Sequence, residues 1–181
     1  MKLQHLTSKD FRTSTWSGGT TTELYLYPEN GSYGARDFLF RISSATVDLD
    51  ESDFTPLQGV ERYITPLTGS FVLTHPQQPP VVLEPLSAPY RFPGGIPTHC
   101  VGRATDFNLM LKGCEGCMQL QHNAAPITPG FQAFYPLTDT VFTLGTQQLE
   151  MKKGDLLTVF SDEAATLSLG DAPTLVCRVN I

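Results

Sequence analysis

The stretch Asp106-Phe107-Asn108-Leu109-Met110-Leu111-Lys112 decides how this chain is read. Its polar and apolar residues alternate at strand period, so Asp106 and Asn108 share one face while Phe107, Leu109 and Leu111 share the other. A buried polar group without a partner costs about 1–3 kcal/mol, so a carboxylate and an amide on an otherwise apolar strand need answering groups. The segment is therefore either a hydrated outer strand or one wall of a polar pocket. Phe40-Arg41-Ile42-Ser43 repeats the conflict, with Arg41 and Ser43 on the face opposite Phe40 and Ile42. Two such strands point to a binding site inside a β-structure.

Around them, short β-rich runs alternate with clusters drawn from 14 Pro and 15 Gly, the pattern of a sandwich or barrel. Strands are expected at residues 22–27, 38–47, 62–67, 70–74, 81–83 and 107–112. Further strands are expected at 119–122, 131–135, 140–144, 156–160, 165–169 and 175–180. Helical periodicity is confined to one turn near residues 8–12, so the fold class is all-β. The turn Gly154-Asp155 before an apolar strand is of a kind common in jelly rolls, and a second strand–turn–strand unit begins at Leu67-Thr68-Gly69. Two packed jelly-roll-like β-barrels are expected, over residues 1–112 and 113–181, the first carrying the pocket.

The 181 residues suffice for one compact domain or two small ones, and 40% hydrophobic residues can bury a core. A net charge of −6 argues against nucleic acid, which selects for basic patches. No apolar run approaches the roughly 20 residues that span a bilayer. Met1-Lys2-Leu3-Gln4-His5 lacks the apolar core of a signal peptide, so the expected location is cytoplasmic, away from membranes.

Cys114-Glu115-Gly116-Cys117 has zinc or redox spacing, but no second CxxC or HxxxH pair completes a ligand set. The histidines His5, His75, His99 and His122 are scattered, none at i, i+2. No metal and no cofactor are expected. Asp48, Asp50, Glu51 and Asp53 lack the Gly of a calcium loop and read as a solvated loop.

The candidate ligand-binding residues are Arg41, Ser43, Arg62, Asp106 and Asn108, with Trp16 and Glu23 beside them. If their faces converge, guanidinium donors stand beside a carboxylate and an amide. Arg forks pair bidentately with carboxylates, so such a pocket suits a small anionic ligand. The plainer alternative is that Arg41 and Asp106 pair with each other and brace the barrel. Trp16-Ser17-Gly18-Gly19-Thr20 either brings backbone close to a ligand or is a strand-entry turn with Trp16 packed on the core. It is no phosphate loop, since no Lys follows it. Glu23 faces either the same interior or solvent, and Phe92-Pro93-Gly94-Gly95 reads as a tight turn.

An ordered set of motifs then resembles the HutD/Ves family. These are Trp16-Ser17-Gly18-Gly19-Thr20-Thr21-Thr22-Glu23-Leu24, Phe40-Arg41-Ile42-Ser43-Ser44-Ala45, Gly59-Val60-Glu61-Arg62, Leu67-Thr68-Gly69, Phe92-Pro93-Gly94-Gly95 and Asp106-Phe107-Asn108-Leu109-Met110. The resemblance implies a bicupin fold lacking the usual metal-binding motifs. It also implies a link to histidine utilisation, as a binder of a pathway metabolite, with no reaction firmly assigned to the family. The expected function is metal-independent binding of a small carboxylate metabolite, in a regulatory rather than catalytic role. Two alternatives stay open: a metal-free isomerase or hydrolase with Asp106 or Glu23 as general base, and a protein-interaction module. Edge strands would allow a homodimer.

Overall fold

The computed structural model describes every residue, Met1–Ile181, as seventeen strands without a helix. No helix long and apolar enough to cross a membrane is therefore present. The early strands are β1 (Lys2–Leu6), β2 (Arg12–Trp16), β3 (Gly19–Tyr27), β4 (Phe40–Val47), β5 (Glu51–Asp53) and β6 (Val60–Gly69). Next come β7 (Phe71–Thr74), β8 (Val81–Leu83), β9 (Tyr90–Pro93), β10 (His99–Val101) and β11 (Ala104–Lys112). The last are β12 (Glu115–Ile127), β13 (Gly130–Pro136), β14 (Thr140–Leu144), β15 (Gln147–Met151), β16 (Leu156–Ser161) and β17 (Ala165–Asn180).

The chain divides into two compact units, Arg12–Gly113 and Met1–Phe11 with Cys114–Ile181. The first eleven residues, expected with the N-terminal half, thus belong with the later strands. The cause is β1, which pairs antiparallel with β16 from Lys2↔Phe160 to Leu6↔Leu156. No apolar alternation announces β1 or β2, whose residues are half-buried or exposed, and both are additions to the strands expected from sequence. The helical turn expected at residues 8–12 is instead a tight turn, closed by Asp10 N–H donating to the Thr7 carbonyl at 2.9 Å.

The unit Arg12–Gly113 holds a six-stranded sheet in the order β2-β3-β4-β11-β6-β9 and a four-stranded sheet, β5-β10-β7-β8. One apolar cluster joins Ile64, Phe71, Leu73, Leu83 and Phe92, and another joins Leu26, Phe38, Leu57, Val60 and Met110. Gly19 opens β3 at a φ of +149°, where an added Cβ would lie 1.8 Å from the Thr46 carbonyl oxygen. Only glycine lets the two strands approach so closely there.

The other unit is one seven-stranded sheet in which β17 pairs with β12, β13 and β14. The two C-terminal segments expected from sequence are one continuous strand, with Gly170 at φ +62° and a slip in pairing absorbing the break. Phe134, Phe142, Leu157, Val159, Leu167, Leu169 and Val176 are all fully buried in its core.

Candidate functional site

The inner surface of the six-stranded sheet follows from register. On β11, Asp106, Asn108 and Met110 stand opposite Ala45, Ser43 and Arg41 of β4, and opposite Pro66, Ile64 and Arg62 of β6. Residues directly opposite in an antiparallel pair point to the same side, so these nine positions form one wall. The other side of β11 carries Phe107, Leu109 and Leu111, all buried, so the strand is covered on both faces. This rules out the hydrated outer strand.

Two irregularities aim side chains into that wall. Between Thr105 and Asp106 the pairing with β6 slips past Leu67, next to Pro66, which has no N–H to offer the ladder. On β3 the register slips between Glu23 and Tyr25, so Glu23 faces Ser43 while Leu26 faces Arg41. Strict alternation would have put Glu23 and Leu26 on opposite faces.

Arg41 and Asp106 do not pair with each other, contrary to the bracing alternative. Arg41 donates from Nε to Glu23 Oε2 at 2.7 Å and from Nη1 to Ser43 Oγ at 3.2 Å. Its guanidinium lies 4.1 Å from the centroid of the Tyr33 ring. Arg62 donates from Nη2 to Asn108 Oδ1 at 2.9 Å, and Asn108 Nδ2 in turn donates to Asp106 Oδ1. The Arg62 guanidinium sits 4.6 Å from the Phe54 ring centroid and 5.3 Å from that of Phe92, while its Nε has no partner. The chain Arg62–Asn108–Asp106 therefore separates cation from carboxylate by one neutral amide.

These side chains are deeply buried: Arg41 is 5% exposed, Arg62 6% and Asp106 4%. Burial pushes the Asp106 carboxyl up to about 7, against the opposing pull of Arg62, the Ala45 backbone N–H and Asn108. Burial likewise draws the Arg62 guanidinium below its ordinary value, with the charge of Asp106 pulling the other way. The thiol of nearby Cys100 is pushed up to about 11, again chiefly by burial, and stays neutral at physiological pH.

A cavity of about 530 Å³ opens onto this wall. Arg41, Ser43, Arg62, Asp106, Asn108 and Trp16 line it, so six of the seven candidate residues come together. Glu23 does not line the cavity; it stands behind Arg41 as its ion-pair partner, with its side chain 22% exposed. Trp16 is 40% exposed rather than packed on the core, and it lies across Gly18 beside Leu49. Tyr33 and Phe54 also line the cavity and were missed in the sequence, because nothing in the local pattern of their loops marks them. Phe92 could have been found: its motif was singled out as a turn, yet it forms β9 and turns its buried ring toward Arg62.

The remaining motifs are structural in character. The acidic segment is solvated as expected, but Glu51–Asp53 form the short strand β5 rather than a loop, with Asp53 2.8 Å from His99 and neighbouring Asp50 2.8 Å from Arg103. His75, placed in a loop by its Pro neighbour, is buried against the rings of Tyr90 and Phe92, which pack on each other. Cys114 lies at the β11–β12 turn and Cys117 already within β12, both half-buried. No group of three or more His, Cys, Asp or Glu side chains is placed to hold a metal ion.

The same fold is seen in solved structures. A conserved protein of unknown function from Pseudomonas aeruginosa PAO1 superposes with a TM-score of 0.85 over 100% of both chains, at 20% identity. HutD from Pseudomonas fluorescens SBW25, solved in a formate condition, gives 0.81 over 99% of this chain and 100% of its own, at 22% identity. Ylba from E. coli gives 0.71 over 98% of this chain and 90% of its own, at 12% identity. These neighbours make the all-β architecture cupin-like. No curated protein matches the chain in sequence. The HutD family model, however, matches residues 8–177, which takes in every strand of the cavity wall. The chain belongs to the HutD family.

Proposed function

We propose that this protein binds a small carboxylate-bearing metabolite in the cavity of the unit Arg12–Gly113. The observation that carries the reading is Arg62, a buried guanidinium whose side-chain acceptor is a neutral amide. A buried cation without a directly bonded carboxylate is costly, and an incoming carboxylate would supply the missing partner through a charge-assisted fork. Arg41, closed by Glu23 and Ser43, contributes a second positive end to the same wall. Trp16, Tyr33 and Phe54 would cover the apolar part of the ligand. The family's link to histidine utilisation makes urocanate and formylglutamate the first metabolites to try, and formate the smallest probe.

A thermal-shift titration tests this directly. A ligand at 100 times its dissociation constant should stabilise the protein by about 2.7 kcal/mol. Arg62→Met should abolish the shift; because it also removes the charge opposing Asp106 and the donor to Asn108, its melting temperature should fall, and its folding is checked separately by circular dichroism. A ligand that still binds this variant with unchanged affinity would place its site elsewhere.

A second reading is favoured by Asp106 alone. A carboxyl titrating at about 7 in a cavity is suited to general acid–base work on a small acid. Turnover of a bound carboxylate that is lost in Asp106→Asn, with binding kept, would establish it; binding without turnover across a metabolite panel would leave a receptor-like role.

A further inference from the structure

We propose that the cavity takes up its anion together with one proton, which comes from solvent and settles on Asp106. The inference rests on the carboxylate-binding reading above and specifies how that site balances its charge.

The balance follows from the contacts. Arg41 and Glu23 form a closed ion pair at 2.7 Å. Arg62 and Asp106 are held apart by Asn108, which accepts from one and donates to the other. With Asp106 ionised, the two guanidinium and two carboxylate groups cancel. An arriving carboxylate would then leave this buried cluster with an uncompensated negative charge, which a low-dielectric site does not tolerate. Protonating Asp106 restores neutrality and releases Arg62 to serve the ligand alone. The new O–H also gives the cavity a donor on the wall where Asn108 already stands.

The other groups around Asp106 do not compete for this proton. Ala45 stands opposite it on β4, with Ser43 and Arg41 further along the same wall, and Arg41 is always charged. From β10, Cys100 is held neutral by burial. Tyr33 covers Arg41 from its loop, Glu23 is spent on Arg41, and Asp53 at the cavity edge is bonded to His99. Burial already holds Asp106 near neutrality in the empty site, so the bound anion has only to complete the shift.

The test is isothermal titration of the full-length protein with formate and with benzoate, both ionised throughout, from about pH 5 to about pH 9. Each titration is repeated in two buffers of different ionisation enthalpy. The expected result is uptake of about one proton per anion above pH 7, with affinity falling about tenfold per pH unit there and levelling below. Asp106→Asn, a neutral isostere, should remove both the proton uptake and the pH dependence, its affinity staying level across the whole range. Binding of the wild type with no proton uptake and a pH-independent affinity would overturn the proposal while leaving the pocket standing. Proton uptake that persists in Asp106→Asn would overturn the assignment to Asp106. Failure of the folded wild type to bind either acid at any pH would overturn the carboxylate reading itself. The buffer comparison needs no variant, so it decides whether a proton is taken up with the anion even if the substitution prevents folding.

Discussion

The two units use strand alternation for opposite ends. In the unit containing Cys114–Ile181, positions facing the core are Phe134, Phe142, Leu157, Val159 and Leu167, all fully buried and apolar. In the unit Arg12–Gly113, the corresponding kind of position on β4, β6 and β11 carries Arg41, Ser43, Arg62, Asp106 and Asn108. The first arrangement gains stability from the area it removes from water. The second forgoes part of that gain to keep charges in a cavity of about 530 Å³. Polar residues at core positions, satisfied by one another only in part, are the feature on which the proposed binding rests.

The sharpest test of this contrast is Phe134→Ala. Truncating a fully buried ring should cost about 5 kcal/mol in urea denaturation while leaving ligand affinity in the folded fraction unchanged. A matching loss of affinity would mean the apolar unit also shapes the site.

The next largest effect concerns pH. Asp106 is raised from its ordinary 3.8 to about 7, so the native protein keeps a proton that the unfolded chain releases. Its contribution to stability is full below about pH 4 and is lost as the pH rises through about 7, by on the order of 4 kcal/mol. The difference in stability between wild type and Asp106→Asn should therefore change across that window. Parallel curves would show that Asp106 ionises as an exposed carboxyl does, and the contrast between the units would soften.

A smaller change is expected for Glu23→Gln, which strips the buried Arg41 of its carboxylate. Because Glu23 is 22% exposed, the cost should be about 2 kcal/mol. No measurable loss would mean that solvent or Tyr33 already answers Arg41. The smallest effect falls on the pair of partly exposed His5 with buried Asp155, 2.7 Å apart, which ties β1 to the β15–β16 turn. His5→Gln should lower stability by about 0.5 kcal/mol, read as a slight drop in melting temperature. A cost as large as that of Phe134→Ala would show that β1 is held mainly by this contact.

Much of the cavity wall was legible beforehand. The alternation at Asp106-Phe107-Asn108 and Phe40-Arg41-Ile42-Ser43 is local, and the pleat turns it directly into a shared face. Glu23 was ambiguous because its direction depends on a slip in the β3–β4 register, which no residue pattern announces. Trp16 stood open between a ligand-side loop and a packed core position, because only its place beside Gly18 and Leu49 shows that it lines the cavity. Strands β1 and β2 escaped notice because edge strands with exposed side chains lack the apolar period that betrays a strand.

By itself, then, the sequence determined an all-β chain and the charged, two-faced strands that a polar site requires, since side-chain alternation depends only on neighbouring residues. What only the tertiary structure decided is which charge answers which. Arg41 goes to Glu23, eighteen residues back, and Arg62 meets Asp106 only through Asn108. Those pairings depend on strand order and register, fixed by contacts between residues far apart in the chain, and they leave Arg41 and Asp106 unpaired with each other, the arrangement on which the proposed anion site rests.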